Sequence, residues 1–170
     1  MRSSARLLSL VIVAGMALAG TPALAVTQTA AVNANVVKPL ELVRVQDFDL
    51  GTISLTPGSW TGAVVSLSQA GVRTCANPNL ICSGAAQVAK YKVTGTNKMV
   101  VLIHAPNVTM VNQADASKTL TLVTDAPGQI TLTSSGEPGI TFPIGGRITL
   151  NGSTAGGDYQ GTFNVTVEYQ

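Results

Sequence analysis

The fold class of this chain is set by the stretch Tyr159-Gln-Gly-Thr-Phe-Asn-Val-Thr-Val-Glu-Tyr-Gln170, in which apolar and polar residues alternate. In an extended strand, successive side chains point to opposite faces, so alternate positions share a face. The predicted apolar face consists of Phe163, Val165, Val167 and Tyr169. The pattern indicates a half-buried β-strand, and we therefore expect the C-terminal residues to be held in a sheet.

The same two-residue period recurs through the preceding chain and predicts a β-rich domain. Strand patterns occupy residues 40–55 with a bend near Gly51, and then 62–68, 88–94, 98–105, 119–123, 129–133 and 140–144. Residues 98–105 are apolar on both faces, which predicts a strand covered on both sides. No segment after residue 25 has the spacing of an amphipathic helix. Many short strands with Gly and Pro turns between them predict an all-β, single-domain β-sandwich over residues 40–170.

The N-terminal residues have the pattern of a secretory leader. Arg2 and Arg6 precede an apolar run over residues 7–19, and small residues close the segment at Ala25. This order predicts a signal peptide over residues 1–25, with cleavage between Ala25 and Val26. The run is too short for a comfortable membrane span. We expect an exported protein, located in the periplasm, at the cell surface or outside the cell.

Charge excludes two classes of partner. The chain has ten Lys and Arg against eight Asp and Glu, and two of the ten, Arg2 and Arg6, lie in the predicted leader. The remainder is formally neutral and has no basic cluster. It therefore offers no electrostatic footprint for nucleic acid or for an anionic membrane surface. We expect partners that are recognised by shape and by backbone pairing.

A second alternation follows the predicted cleavage site. Over residues 26–36 the apolar positions form one face, interrupted by Gln28, and consist of Val26, Ala30, Val32, Ala34 and Val36. The segment ends at Lys38-Pro39, which is a natural linker break. We interpret residues 26–39 as an N-terminal strand. It is either the first strand of this chain's own sandwich or an extension that pairs elsewhere.

The two cysteines, Cys75 and Cys82, predict a local disulfide. They are the only pair in a chain that is expected to enter an oxidising compartment. By loop entropy a ring this small contributes about 2.5 kcal/mol. No histidine lies near them, which disfavours a metal site.

Candidate catalytic and binding residues are few. His104, the only histidine, ends the most apolar strand, so we expect a packed or capped side chain rather than a general base. Asp47 and Asp49 share a strand face but have no further oxygen ligands beside them. Trp60 is expected in the core, and Gly145-Gly146 at a bulge or a close approach of strands. We expect no catalytic, cofactor-binding or metal-binding residues, and hence not an enzyme.

Three stretches resemble a family of exported bacterial domains of unknown function. They are Lys90-Tyr-Lys-Val-Thr-Gly95, Phe142-Pro-Ile-Gly-Gly146 and Gly156-Gly-Asp-Tyr-Gln-Gly-Thr-Phe-Asn-Val-Thr-Val-Glu-Tyr169. The C-terminal stretch is also similar to that of chaperone-usher pilins and spore coat protein U. In those proteins a glycine near the start of the last strand and a penultimate tyrosine recur, and Gly157 and Tyr169 match them.

The pilin resemblance implies an immunoglobulin-like sandwich that lacks one strand and receives it from the N-terminal extension of the next subunit. Residues 26–36 lie where that donor strand is expected. The implied partners are other copies or related subunits, together with a periplasmic chaperone. Cys75 and Cys82 depart from the resemblance, because chaperone-usher subunits commonly link cysteines that are widely separated.

Two functional classes follow from these expectations. The first is a structural subunit of a surface fibre or coat, assembled by exchange of β-strands. The second is a self-contained exported sandwich that binds a glycan, a protein or a surface through its loops, particularly around residues 75–82.

Overall fold

The computed structural model describes residues 25–170. The predicted signal peptide lies outside the described residues except for Ala25. The chain divides into two units, residues 1–35 and 36–170. All of the strands belong to the second unit.

The described chain has thirteen strands and no helix. The strands are β1 (Glu41–Gln46), β2 (Thr52–Leu55), β3 (Ala63–Leu67), β4 (Arg73–Thr74), β5 (Leu80–Ser83), β6 (Ala89–Thr94), β7 (Val100–His104), β8 (Val108–Asn112), β9 (Thr119–Asp125), β10 (Gln129–Thr131), β11 (Ile140–Leu150), β12 (Tyr159–Gln160) and β13 (Thr166–Tyr169). No helix among the described residues has the length and hydrophobicity that a membrane crossing requires.

All strand pairs are antiparallel and form three sheets. The largest has the order β1-β6-β11-β9-β8-β12, with β3 paired to β11 and β4 paired to β3. A second sheet has the order β10-β7-β13, and a third is the two-stranded ribbon β2-β5. The fold is therefore an all-β sandwich, as the alternating pattern predicts.

Strand β11 holds the main sheet together. Its first half, residues 140–144, pairs with β6, and residues 146–150 pair with β3. Gly145-Gly146 lies at the change of partner, where both residues are buried. A Cβ on Gly146 would lie 2.9 Å from the Leu122 side chain. The predicted close approach of strands at this glycine pair is confirmed.

Two apolar clusters form the core. The first contains the buried residues Leu50, Ala63, Val65, Leu67, Leu80, Val88, Val108, Leu122, Ile148 and Leu150. The second contains Ala89, Val93, Val101, Ile103, Leu132, Phe142 and Ile144. Phe48 and Phe163 pack against both clusters, and so lie where the two meet. Aliphatic residues dominate both clusters, as expected for a chain with 4% aromatic residues.

Some predicted strands differ from the observed ones. Residues 98–105 were expected to be covered on both faces. In β7, Val101 and Ile103 are buried, but Val100 and Leu102 are only half-buried. The second face of this strand is thus incompletely covered, and that part of the prediction is wrong.

The last predicted strand is broken in the middle. β12 pairs with β8 and β13 pairs with β7, whereas residues 161–165 have no ladder partner. The break has a physical cause, because the chain passes there from one sheet to another. A Cβ on Gly161 would lie 2.7 Å from Val108 Cγ1, so this glycine permits the close approach to β8.

Residues 25–40 have no regular secondary structure. The side chains of Val26, Val32 and Val36 are exposed by 80, 92 and 84%. An unpaired, exposed segment differs from the strand that the sequence predicts over residues 26–39. Residues 26–36 form no strand in the described chain, and which sheet they pair with stays a prediction.

Candidate functional site

The β2–β5 ribbon has two unpaired edges in the described chain, and the edge formed by β2 lies beside a cavity. Within residues 25–170, β2 pairs with β5 alone, and its other backbone edge has no strand partner. The inward side chains of Ile53 and Leu55 are half-buried against the first core cluster, while Thr52 and Ser54 are exposed. An unpaired strand edge presents a row of free N–H and C=O groups.

The C-terminal chain has a second unpaired edge. In the described residues β12 pairs only with β8, and β13 only with β7. Apolar and polar side chains alternate here between half-buried and exposed. The half-buried set is Phe163, Val165, Val167 and Tyr169. These side chains pack against the second core cluster but are not closed over by another strand.

A cavity of about 690 Å³ lies along the two edges. It is bounded by residues 48–55 on one side and by residues 154–160 on the other. Apolar side chains from β8, β9 and β11 also line it, namely Met110, Leu120, Ile148 and Leu150. We call this cavity the β2–β12 groove. Its lining mixes these apolar side chains with polar ones, among them Asp49, Thr52, Thr154 and Asp158, and it lies beside the free edges of β2 and β12.

Gly157 fixes the wall that leads into β12. Its φ is +135°, and a Cβ would lie 2.5 Å from Asn112 Nδ2. Asn112 is only 2% exposed and cannot move away. Its Nδ2 donates to Gly156 O at 3.0 Å, and its Oδ1 accepts from Ala114 N at 2.8 Å. The buried amide thus sets the course of residues 156–157.

Tyr169 anchors the other end of the C-terminal chain. Its hydroxyl donates to Lys38 O at 2.7 Å and accepts from Thr96 N at 2.8 Å. Gly95 makes room, since a Cβ there would lie 2.5 Å from the hydroxyl. We call this arrangement the tyrosine clasp. It joins the last strand to the point at which residues 25–37 leave the domain.

The disulfide Cys75–Cys82 ties the ribbon to the main sheet, and the predicted pairing is confirmed. The two Cα atoms are 6.3 Å apart, within the usual range for a disulfide. Cys75 directly follows β4, whereas Cys82 lies in β5 opposite Ile53. The bond therefore reaches the strand that supports the groove edge.

Arg73 makes a second connection to the same ribbon. Its Nη1 donates to Leu50 O and to Ser83 O, each at 2.9 Å. These carbonyls lie just before β2 and at the end of β5. A Cβ on Gly51 would lie 2.5 Å from Nη1, and Gly51 has φ +74°, so this residue leaves space for the guanidinium.

The titratable side chains named from the sequence are His104, Asp47 and Asp49. His104 is exposed, so the expectation of a packed or capped histidine is wrong. Asp47 accepts from Arg44 at 2.7 Å, and Asp49 Oδ1 accepts from Gly51 N at 2.7 Å. No group of three or more potential metal ligands occurs among the described residues.

Two pKa values depart from their ordinary range. Burial raises the pKa of Tyr91, with smaller opposing contributions from Arg44, which lowers it, and Asp47, which raises it. Hydrogen bonds from Ser117 lower the pKa of Asp115. Tyr91 stacks on Phe142 with ring centroids 6.0 Å apart. Both residues therefore have structural explanations.

Trp60 lies beside the ribbon. Its Nε1 donates to Thr56 O at 3.0 Å, and its ring packs against the first core cluster. The predicted core position is confirmed. Because it is the only tryptophan in the chain, its fluorescence reports on the residues just after β2.

A second cavity of about 480 Å³ has five polar side chains in its lining. Its polar side chains are Gln46, Gln69, Gln87, Lys90 and Thr141. It lies away from residues 154–160 and shares no lining residue with the β2–β12 groove.

The sequence singled out one side of the groove and missed the other. Gly157, which the resemblance singles out, lines the groove, whereas the predicted strand face Phe163, Val165, Val167 and Tyr169 packs against the second core cluster outside its lining. Residues 48–55 were read only as strand and bend, and the contribution of β2 to a groove was missed. Gly51 offered the one local signal, since a glycine within a strand pattern often marks a bend or a close backbone approach.

A family model that describes a domain of unknown function, DUF4402, matches residues 40–169. The chain belongs to the DUF4402 family. No curated protein and no solved structure matches it. The DUF4402 match includes both walls of the groove, Gly157 and the clasp residue Tyr169. Residues 26–36 lie outside the match.

Proposed function

We propose that this protein is an exported structural subunit of a bacterial surface fibre or coat, assembled by exchange of β-strands. Residues 26–36 of one copy fill the β2–β12 groove of the next. The observation that carries the proposal is the β2–β12 groove, which contains the apolar side chains Met110, Leu120 and Ile148 and lies beside the free edges of β2 and β12. Such an edge binds an added strand through backbone hydrogen bonds, and side-chain pockets select the sequence.

The donor segment is long enough to cross the groove. Residues 26–36 span roughly 36 Å when extended, at about 3.3 Å per residue. The free edge of β2 contains four residues and that of β12 two, so one copy of the segment can pair with either edge.

The donor segment also matches in chemistry. It contains no charged residue, so nothing in it would be buried as an unpaired charge. Val26, Val32 and Val36 are exposed in the described chain. Burying an exposed valine side chain stabilises a complex by about 1.5–3 kcal/mol. The half-buried residues of the acceptor gain cover at the same time.

Two further observations support assembly outside the cytoplasm. The leader pattern over residues 1–25 favours export, and the disulfide suits an oxidising compartment. The similarity of the last strand to that of chaperone-usher pilins and spore coat protein U favours the same mode of joining. A periplasmic chaperone that protects the empty groove is the expected transient partner.

A second candidate is a self-contained binding or adhesion module. The observation in its favour is the polar cavity of about 480 Å³ lined by Gln46, Gln69, Gln87 and Lys90. Amides and an amine can bind a polar ligand such as a glycan. We rank this candidate second, because the cavity does not explain the two unpaired edges.

The test is to recover the protein from the cell envelope and run it in detergent without boiling. Strand exchange predicts a ladder of multimers that collapses to one band on boiling. Deletion of residues 26–36 should abolish the ladder. A wild-type protein that is monomeric at high concentration and melts reversibly in two states, with no response to an added peptide of residues 26–36, would count decisively against the proposal.

A further inference from the structure

We propose that the Cys75–Cys82 disulfide and Arg73 hold the acceptor groove open to a donor strand, so that the oxidised protein accepts one more tightly than the reduced protein does. This inference rests on the proposed function and adds its regulation. The β2–β5 ribbon forms one wall of the groove, and two tethers, Arg73 and the Cys75–Cys82 disulfide, help to hold it in position.

Few backbone contacts hold the ribbon to the larger sheets. Neither β2 nor β5 pairs with any other strand in the described residues. The isolated bridge Asp49↔Gln87, with two backbone hydrogen bonds of 2.8 Å, links the ribbon to the β1–β6 ladder, and the two tethers add to it. Apolar packing contributes, since Leu80 is buried and Ile53 and Leu55 are half-buried against the first core cluster. Side-chain packing on one face restrains the ribbon less than a continuous strand ladder does. Without ladder hydrogen bonds, the ribbon can slide along the core more easily.

Both tethers start from the same short strand. Arg73 lies in β4 and Cys75 directly follows it, and β4 pairs with β3 of the main sheet at Leu67↔Arg73 and Ser66↔Thr74. From this base, Arg73 reaches the end of the ribbon at which β2 begins and β5 ends, and the disulfide joins the ribbon at Cys82, one residue in from that end. The ribbon edge that faces the groove is thereby positioned before a donor strand binds.

A pre-positioned wall favours binding because less ordering remains to be done on association. Reduction would remove one tether. A dithiol reductant would transfer two electrons and two protons to the disulfide, leaving two protein thiols and an oxidised, disulfide form of the reductant. The groove edge would then have to be ordered by the donor strand itself, at a cost in affinity.

The donor side has no such requirement. Residues 26–36 contain no cysteine. A reduced copy therefore still donates its strand but accepts poorly. Growth of an assembly would stop at its empty groove.

The experiment uses the full chain with Val32→Asp, which blocks self-donation and leaves the groove vacant. A synthetic peptide of residues 26–36 is titrated into it, and Trp60 fluorescence reports binding. Four acceptors are compared: Val32→Asp alone, and the same chain with Cys75→Ser/Cys82→Ser, with Arg73→Gln, or with Arg147→Gln. Arg147 is an exposed residue of β11 without a contact to the ribbon, and serves as the control.

We expect the serine pair and Arg73→Gln each to weaken peptide binding by roughly tenfold, equivalent to about 1.4 kcal/mol. Arg147→Gln should bind like the parent. Reducing the parent with a dithiol should lower its affinity to that of the serine pair, and reoxidation should restore it. Circular dichroism checks that each acceptor is folded; if the serine pair is not, Arg73→Gln carries the test.

Equal peptide affinity in the parent, the serine pair and Arg73→Gln would overturn this inference and leave strand exchange standing. Failure of the oxidised parent to bind the peptide would overturn the proposed function, and this inference with it.

Discussion

At the residue scale, a glycine and a tyrosine set the two ends of the C-terminal chain. Gly157 permits the backbone to pass the buried Asn112 amide, and the Tyr169 hydroxyl closes on Lys38 and Thr96. Both residues are explained by local contacts. The separation of Gly157 and Tyr169 in sequence is therefore the length of chain needed to run from the Asn112 amide to the tyrosine clasp.

Gly157→Ala should destabilise the domain by about 1–3 kcal/mol, because the left-handed backbone is strained for alanine and its Cβ would contact Asn112. Gly156→Ala is the matched control, since a Cβ there meets no atom within 4 Å. Urea unfolding of the two variants provides the comparison. Equal midpoints would show that residue 157 is not constrained in this way.

Tyr169→Phe should cost about 1–2 kcal/mol, because it removes a donor from Lys38 O and an acceptor from Thr96 N. Tyr159→Phe removes a single bond, to Ala155 O, and should cost about 0.5–1 kcal/mol. Thermal unfolding of both variants separates the two effects. A larger loss in Tyr159→Phe would contradict the role given to the clasp.

Tyr91 predicts a loss of stability at alkaline pH. Burial raises its pKa above 10.0 in the folded state, so folding favours the neutral phenol. The stabilisation is fully present below the unfolded pKa and is lost as pH rises through the higher folded pKa. In Tyr91→Phe, the fall of the unfolding midpoint above pH 10 should be smaller than in the wild type. Identical pH profiles would argue against this assignment.

At the element scale, the two-residue period identifies strands that have one buried face. β1, β3, β6, β9 and the C-terminal pair all lie within stretches that alternate. The short strands β4 and β5 escaped prediction, because two to four residues carry too little pattern and their pairing is decided by distant contacts. β8 was missed because Pro106 and a mixed sequence obscure its start.

Residues 26–36 alternate as clearly as any strand, yet they are irregular in the described chain. Alternation records which residues can share a buried face. It does not record which molecule supplies the other side. The alternation of residues 26–36 therefore predicts a strand but does not identify its partner. Only the resemblance to pilins suggests that partner.

Val32→Asp tests that element. We expect it to abolish the multimer ladder, because it places an unpaired charge among the apolar side chains of the groove. The monomer should change by less than about 0.5 kcal/mol, since Val32 is 92% exposed. Asn33→Asp introduces the same charge on the opposite face and should keep the ladder. A melt lowered by several kcal/mol in Val32→Asp would instead indicate burial within its own chain.

At the scale of the whole molecule, the sequence predicts the sandwich but not its open side. The composition and the period of two suffice for fold class, since they fix which faces must be buried. Which edges stay unpaired depends on the pairing of strands far apart in sequence. Phe48 and Phe163, which pack against both core clusters, are 115 positions apart, and nothing local connects them.

The tyrosine clasp also has a mechanical consequence. A pull on the chain before Lys38 reaches Tyr169 through a single hydroxyl, and passes from β13 into β7 along four paired residues. The covalent chain also carries the pull through Pro39 into β1, so the clasp divides the load between β1 and β13. Tyr169→Phe should leave β1 to carry the load alone, and the domain should yield at lower force.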